Sequence, residues 1–204
     1  MNKTPAKTQR TSTKGKRTRD NIVKVARDVL AHEGYEGFVL RQIAAKAGVK
    51  PGNLQYYFSS KKELLQAVLE QELHRYQETY GKVAEDKHGK TARILAIVDF
   101  LLDEIKNNKA TSNIWYTVWA LAPLDPEIAE LMDEWYQQYM EKLKDVFKTA
   151  APEISDIQAG HTASILTALM DGLTNQIGYG KTPHEIHDGI ESAVRSLILD
   201  LIDS

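Results

Sequence analysis

Residues 40–65 read LRQIAAKAGVKPGNLQYYFSSKKELL, and this stretch decides the fold. Leu40, Ile43, Ala44 and Ala47 recur at helical spacing and stop at Gly48, a residue that takes the left-handed backbone of a tight turn without a Cβ clash. Pro51 restarts a helix at its first position, where a missing N–H does no harm. Two helices of about two turns joined through Gly48, Val49 and Lys50 form a helix-turn-helix. The small Ala44 and Ala47 allow close approach, and Val49 plugs the angle. A helical hairpin with no such role has the same outline. What separates the two readings is the exposed face of the second helix: Lys50, Asn53, Gln55, Tyr56 and Tyr57 are dense in groups that meet phosphates or base edges, and Pro51 and Gly52 are counted with them as DNA-binding candidates.

Upstream, Ile22, Val23, Ala26, Val29 and Leu30 give the region from Lys16 to Gly34 one apolar helical face, with Lys16, Arg17 and Arg19 on its leading turns. Residues 1–15 are Lys, Thr, Ser, Gln and Arg without apolar periodicity, which predicts a disordered basic tail. Its Lys3, Lys7, Arg10 and Lys14 suit an arm along phosphates or in a minor groove, and equally a solubilising tail. Downstream, Ser60 and Glu63 form a capping box that opens a long helix. Lys61 and Lys62 in its first turn oppose the helix dipole, a cost that an arriving phosphate relieves.

Beyond residue 62 the chain reads as helix throughout. Ile94 to Ile105 and Ile114 to Leu121 form amphipathic segments. Asp125-Pro126 caps a long helix carrying Ile128, Leu131, Met132, Trp135, Tyr139, Leu143 and Phe147. Ser155 with Gln158 caps the next, and Thr182-Pro183-His184-Glu185 predicts a last helix from Ile186 to Ile202. No segment alternates with period two, so the fold class is all-α. The organisation is a tail (1–15), a helix-turn-helix domain (16–62) and a ligand-binding and dimerisation domain (63–204).

Charge divides at the same boundary. Residues 1–62 carry fourteen basic and four acidic side chains, and residues 63–204 twelve and twenty-four. A basic end on an acidic body suits phosphate neutralisation at one end only, although a basic tail beside an ordinary acidic domain has the same balance. The chain has no cysteine, which excludes disulfides, thiolate nucleophiles and Cys-ligated zinc. No apolar run approaches the roughly 18 residues of a membrane span, and no secretory signal is evident, so a cytoplasmic protein with no membrane partner is expected.

The span from Leu40 to Leu65, with the preceding helix, resembles the DNA-binding domain of the tetracycline-repressor (TetR) family. The likeness is carried by Gly34-Tyr35, Ile43-Ala44, Ala47-Gly48-Val49, Gly52, Leu54, Tyr57-Phe58, Lys61 and Leu64-Leu65. A weaker likeness to the choline-responsive (BetI-like) branch rests on Ile114-Trp115, Trp119-Ala120, Asp125-Pro126 and Ala168 to Leu173. The resemblance implies a homodimer with a three-helix reading head, a linking fourth helix and a dimer face on the last two helices. Ile165, Leu169, Leu173, Ile190, Val194 and Leu197 are the candidates for that face. It also implies Lys61 on a phosphate, Tyr57 on the DNA backbone and Gly52 close to it. Phe38 and Val39 replace a common Thr or Ser, and Lys50 replaces a capping hydroxyl with a cation. Gln55 stands where Tyr is frequent, and its amide suits a bidentate pair with adenine.

Trp115, Trp119, Trp135 and Tyr139, with Tyr116 and Tyr136, concentrate aromatic rings on two successive helices. Such rings form ordinary core or line a pocket; with Asp99, Asp103 and Glu134 nearby, a pocket would suit a cation. His184 and His187 have usable metal spacing, but a solvated helix face explains them better. Asp171-Gly172 reads as close helix packing at the dimer face. No motif assembles Ser, His and Asp for hydrolysis. The expectation is a repressor that binds a palindromic operator in double-stranded DNA and is released by a small-molecule effector, with no cofactor, metal or catalysis. Its rival is a helical small-molecule-binding protein or enzyme with an incidental basic tail.

Overall fold

Apolar spacing ahead of Gly34 builds α1 (Thr13–Gly37), which buries Ile22, Val23, Ala26, Val29, Leu30 and Ala31. At Gly34 the backbone leaves helical geometry (φ 66°, ψ −167°) and turns the chain toward α2 (Leu40–Lys46) and α3 (Pro51–Tyr57). The computed structural model describes residues 13–85 and 87–203. Lys3, Lys7 and Arg10 lie outside the described residues, and Thr13, Lys14 and Gly15, expected in the tail, are the first turn of α1.

The head closes around Phe38, Ile43, Ala44, Leu54 and Phe58, each at most 1% exposed. Gly48 takes φ 69°. The Asn21 amide on α1 donates to the Ala47 carbonyl at the end of α2 (3.0 Å), fixing the turn from outside. Neither α2 nor α3 has a side-chain cap at Val39 or Lys50, in keeping with the missing hydroxyls.

Helix α4 (Lys61–Glu85) leads into the body. The Ser60 hydroxyl accepts from the Glu63 N–H (3.1 Å), as the capping box requires. The return bond differs from expectation: Glu63 reaches the Ser59 N–H and hydroxyl (2.7 and 2.8 Å). The body continues with α5 (Lys90–Asn107), α6 (Lys109–Leu121), α7 (Pro126–Ala150) and α8 (Asp156–Ile177). Helix α6 begins five residues before Ile114, because Asn108 caps it by accepting from the Thr111 N–H (3.1 Å). Asp125 and Ser155 cap α7 and α8 as expected, but the Gln158 amide donates to the Leu201 and Ile202 carbonyls rather than back along its own helix.

The last helix departs most. Glu185–His187 form only a single 3-10 turn, and α9 runs from Ile190 to Asp203. Gly189, at φ 80°, breaks the helix that the Thr182–Glu185 signature predicted, and Ile186 is 87% exposed, so no apolar contact holds that segment in helix. His184 and His187 therefore sit on the turn before the last helix. Among the described residues no group of metal-ligating side chains assembles, and no helix is long and apolar enough to cross a membrane.

Helix α1 packs on both α4 and α6, and α7 lies against α4 and α8. The head thus rests directly on the two helices that also enclose the centre of the body.

Candidate nucleic-acid interface and small-molecule cavity

On α3 only Leu54 is buried; Pro51, Gly52, Asn53, Gln55 and Tyr56 are exposed, Tyr57 is half-buried, and Lys50 stands exposed at its N-terminus. One face anchors the helix and the other is presented outward. Among the described residues, nothing beyond Gly52's own helix and chain neighbours lies within 4 Å of where a Cβ would sit, so packing against the rest of the described protein does not require a glycine there. Tyr56 and Tyr57 meet edge to face at 5.2 Å between ring centroids. Lys16 and Arg17 are exposed, whereas Arg19 lies over the Phe58 ring at 5.1 Å.

Lys61 is placed differently from a simple phosphate ligand. Its ammonium donates to the Tyr35 carbonyl (2.9 Å) and lies 3.3 Å from the Tyr35 ring centroid. Burial lowers its pKa. Lys62 pairs with Glu130 on α7 (3.2 Å). The two lysines that oppose the α4 dipole thus have partners within the chain. Arg41, exposed at the start of α2, shares a cleft with Gln55, Pro51 and Lys61. Its only sequence signal was a cation in the first turn of the first hairpin helix.

At the centre of the body the aromatic residues converge. Trp135 stacks on Tyr139 (4.7 Å between centroids, 12° between planes) and lies 4.2 Å from Trp115. Trp119 completes the wall at 6.4 Å from Trp115. These four predicted rings line a cavity of about 40 Å³, together with Tyr76, Leu101, Ile105, Thr111, Ser112, Tyr136, Thr167, Met170, Asp171 and Thr174. That exceeds the roughly 10–15 Å³ a cavity needs to admit a water.

The charged group on this wall is Asp171, and Asp99 is elsewhere. Asp99 pairs with Arg195 at the surface (2.6 Å), because two residues along α5 rotate it some 200° away from the cavity-facing Leu101. Asp103 bonds Asn107 at the surface (2.6 Å), and Glu134 is exposed. Asp171 accepts from the Tyr136 hydroxyl (2.6 Å), which accepts from the Trp119 indole N–H (2.8 Å). Burial raises the Asp171 carboxyl to about 6, with the Tyr136 hydrogen bond acting the other way. Burial and the Asp171 charge push the Tyr136 hydroxyl far up, so it remains a donor. The placement of Asp171 at a dimer face is therefore corrected: it faces inward, and an acid amid an apolar helix was the signal for it.

Helices α8 and α9 turn some of the predicted dimer residues inward as well. Leu173 and Val194 are 5% and 4% exposed within the protomer, and so belong to its own core. Ile165 and Leu197 are about two-fifths exposed, and Leu169 and Ile190 are half-buried. The helical period divides the set: Leu166, Met170 and Leu173 point in while Ile165 points out.

Residues 22–68 match the family model described as bacterial regulatory proteins of the tetR family. Residues 90–203, more than half of the chain, match the model described as the C-terminal region of the BetI-type transcriptional repressor. The chain belongs to the tetR family of bacterial transcriptional regulators. Among relatives of this tetR-family chain, the HTH-type transcriptional regulator BetI of Stenotrophomonas maltophilia is 29% identical over 157 residues, covering 76% of this chain and 78% of the relative. GusR of Salmonella enterica has the same fold at a TM-score of 0.71 and 20% identity, covering 92% of this chain and 96% of its own. A transcriptional regulator from Saccharomonospora viridis, solved in complex with choline, aligns at a TM-score of 0.63 and 21% identity, covering 92% and 96%.

Proposed function

We propose that this tetR-family regulator acts as a homodimer, that α3 enters the major groove of a palindromic operator, and that the aromatic cavity accepts a small quaternary ammonium ligand of the choline class. The observation that carries the ligand reading is Asp171, an acid facing a cavity walled by Trp115, Trp119, Trp135 and Tyr139. Aromatic faces attract a cation electrostatically, and a desolvated carboxylate completes its neutralisation. The choline held by the Saccharomonospora viridis regulator supports the same chemistry.

The cavity as it stands, about 40 Å³, is small for a quaternary ammonium ligand, so binding is read as spreading the helices that line it. Spreading shifts the population of dimers away from the separation of about 34–36 Å at which two reading helices meet successive major grooves. Ile165, Leu169, Ile190 and Leu197 supply the apolar contact between protomers. Lys16, Arg17, Lys50 and Arg41 meet phosphates. Asn53 and Gln55 face base edges, and Tyr56 and Tyr57 flank them. Lys61 positions the turn after α1 through Tyr35.

Two substitutions separate reading from anchoring. Gln55→Ala should cost about 1–3 kcal/mol on the preferred operator and little on other sequences. Lys50→Ala should weaken binding to all sequences and lower the salt slope by about one. Fluorescence anisotropy over a salt series on both DNAs checks this. The reverse pattern overturns the assigned roles.

A further inference from the structure

A chain of buried carboxylates and half-buried arginines crosses from the cavity wall to the DNA-binding head. Thr111, on the wall, lies within hydrogen-bond reach of two groups: the Arg75 guanidinium (3.1 Å) and the Glu104 carboxylate (3.4 Å). Arg75 on α4 bonds Glu104 on α5 (2.7 Å) and Glu72 one turn back (3.1 Å). The second oxygen of Glu72 takes the Arg27 Nε–H from α1. Glu72 is 1% exposed and Glu104 9%; burial works to lower the Arg75 pKa, and the hydrogen bond it donates to Glu104, with the charge of Glu72, more than offsets this and holds it above its usual value.

We propose that this network transmits cavity occupancy to the head, with Arg75 and Glu72 as positioning residues between Thr111 and Arg27. The inference deepens the regulator reading above and rests on it. A buried carboxylate whose two oxygens serve two different helices cannot lose one partner without a large desolvation cost, so the groups move together or not at all. A ligand that pushes α6 outward displaces Thr111, which draws Arg75 with it. Glu72 must then follow Arg75 or release it, and either response alters the hold on Arg27. Helix α1 carries Arg27 and, through Asn21 and Ala47, the end of α2, so the shift reaches the helix-turn-helix. Direct packing of α6 on α1 is the other route, including the Asn113 amide on the Ala31 carbonyl (2.7 Å), and the test must separate the two.

The full chain is assayed for binding to DNA from its own upstream region, with and without saturating choline. Wild type should lose at least tenfold in DNA affinity when choline is present. In Arg27→Met that ratio should fall below about threefold, while choline affinity in the absence of DNA stays within twofold. Arg27→Lys, which keeps the charge, should restore part of the ratio, and melting curves confirm that both variants are folded. Retention of the wild-type ratio in Arg27→Met overturns the proposal. A second arm uses no ligand: DNA affinities of wild type, Thr111→Val, Arg27→Met and the double variant form a cycle. The network predicts a double variant at least fivefold away from the product of the single effects, and agreement within twofold overturns it. If choline leaves wild-type DNA binding unchanged, the effector reading fails alone and the ligand-free cycle still decides the network. If wild type binds no upstream DNA, the regulator reading fails and takes the network with it.

Discussion

Asp171→Asn should abolish most choline affinity and, at neutral pH, raise the melting temperature. Both effects follow from one buried acid. Removing one partner of a desolvated charge pair costs at least about 2 kcal/mol, or roughly 30-fold in affinity. Choline keeps its charge at every pH, so any titration of its binding belongs to the protein. The Asp171 carboxyl, raised by burial to about 6, is the group on the wall that changes charge in this range, since burial keeps the hydroxyls of Tyr76, Tyr136 and Tyr139 protonated. Wild-type affinity should fall about tenfold per pH unit below about pH 6, and Asp171→Asn should be flat there. For stability the sign is opposite to that of a salt-bridged acid. The folded state holds the proton more tightly than the unfolded chain, so stability falls as pH rises from about 4 to about 6 and stays lowered above. Asparagine removes this penalty, a gain of up to about 3 kcal/mol at pH 7. Calorimetric titration of choline and melting curves from pH 4 to pH 8 check both. A variant that keeps wild-type affinity, or melts lower at pH 7, contradicts the account.

Arg75→Met should be strongly destabilising. It leaves Glu72 with one cation and Glu104 with only Asn108 and Thr111, both carboxylates being buried. Breaking such a group from one side costs about 3–5 kcal/mol, equivalent to a fall of about 6–20 °C in a chain of this size. Adding Glu104→Gln should recover part of that loss, because it removes the one carboxylate left without a cation. Chemical denaturation of the two variants checks the prediction. A loss below about 1 kcal/mol for Arg75→Met would show that the network is solvated and contributes little.

Local signals in the sequence were enough for the head and for several helix starts. Gly48, Pro51, Asp125-Pro126 and Ser155 act on their own neighbours, so each could be read without knowing what packs where. The start of α9 misled for the same reason: Thr182 to Glu185 carry a sound local signature, but Gly189 and the exposure of Ile186 decide against it. The cavity was half legible. Clustered aromatics on successive helices pointed to Trp115, Trp119, Trp135 and Tyr139, whereas the sequence reading places Asp99 as the pocket acid, and only the way each helix turns shows that Asp171, read as a packing residue, lines the cavity instead. The dimer residues divided on the same point. Leu173 and Val194 are as apolar as Ile165 and Leu197, and only the packing of α8 and α9 shows which pair the protomer uses for itself. The Arg27–Glu72–Arg75–Glu104 network left no sequence signal, because its partners come from three helices and each residue taken alone reads as a charge on a solvated face.

The central claim, ligand-controlled operator binding through α3, is tested most directly by nuclease footprinting of the full chain on its own upstream DNA, with and without choline. The account predicts protection of a palindromic site whose half-sites lie one helical turn apart or a multiple of it, lost at high salt and lost on adding choline. Weak protection without a preferred sequence, or a footprint that choline leaves intact, would contradict it.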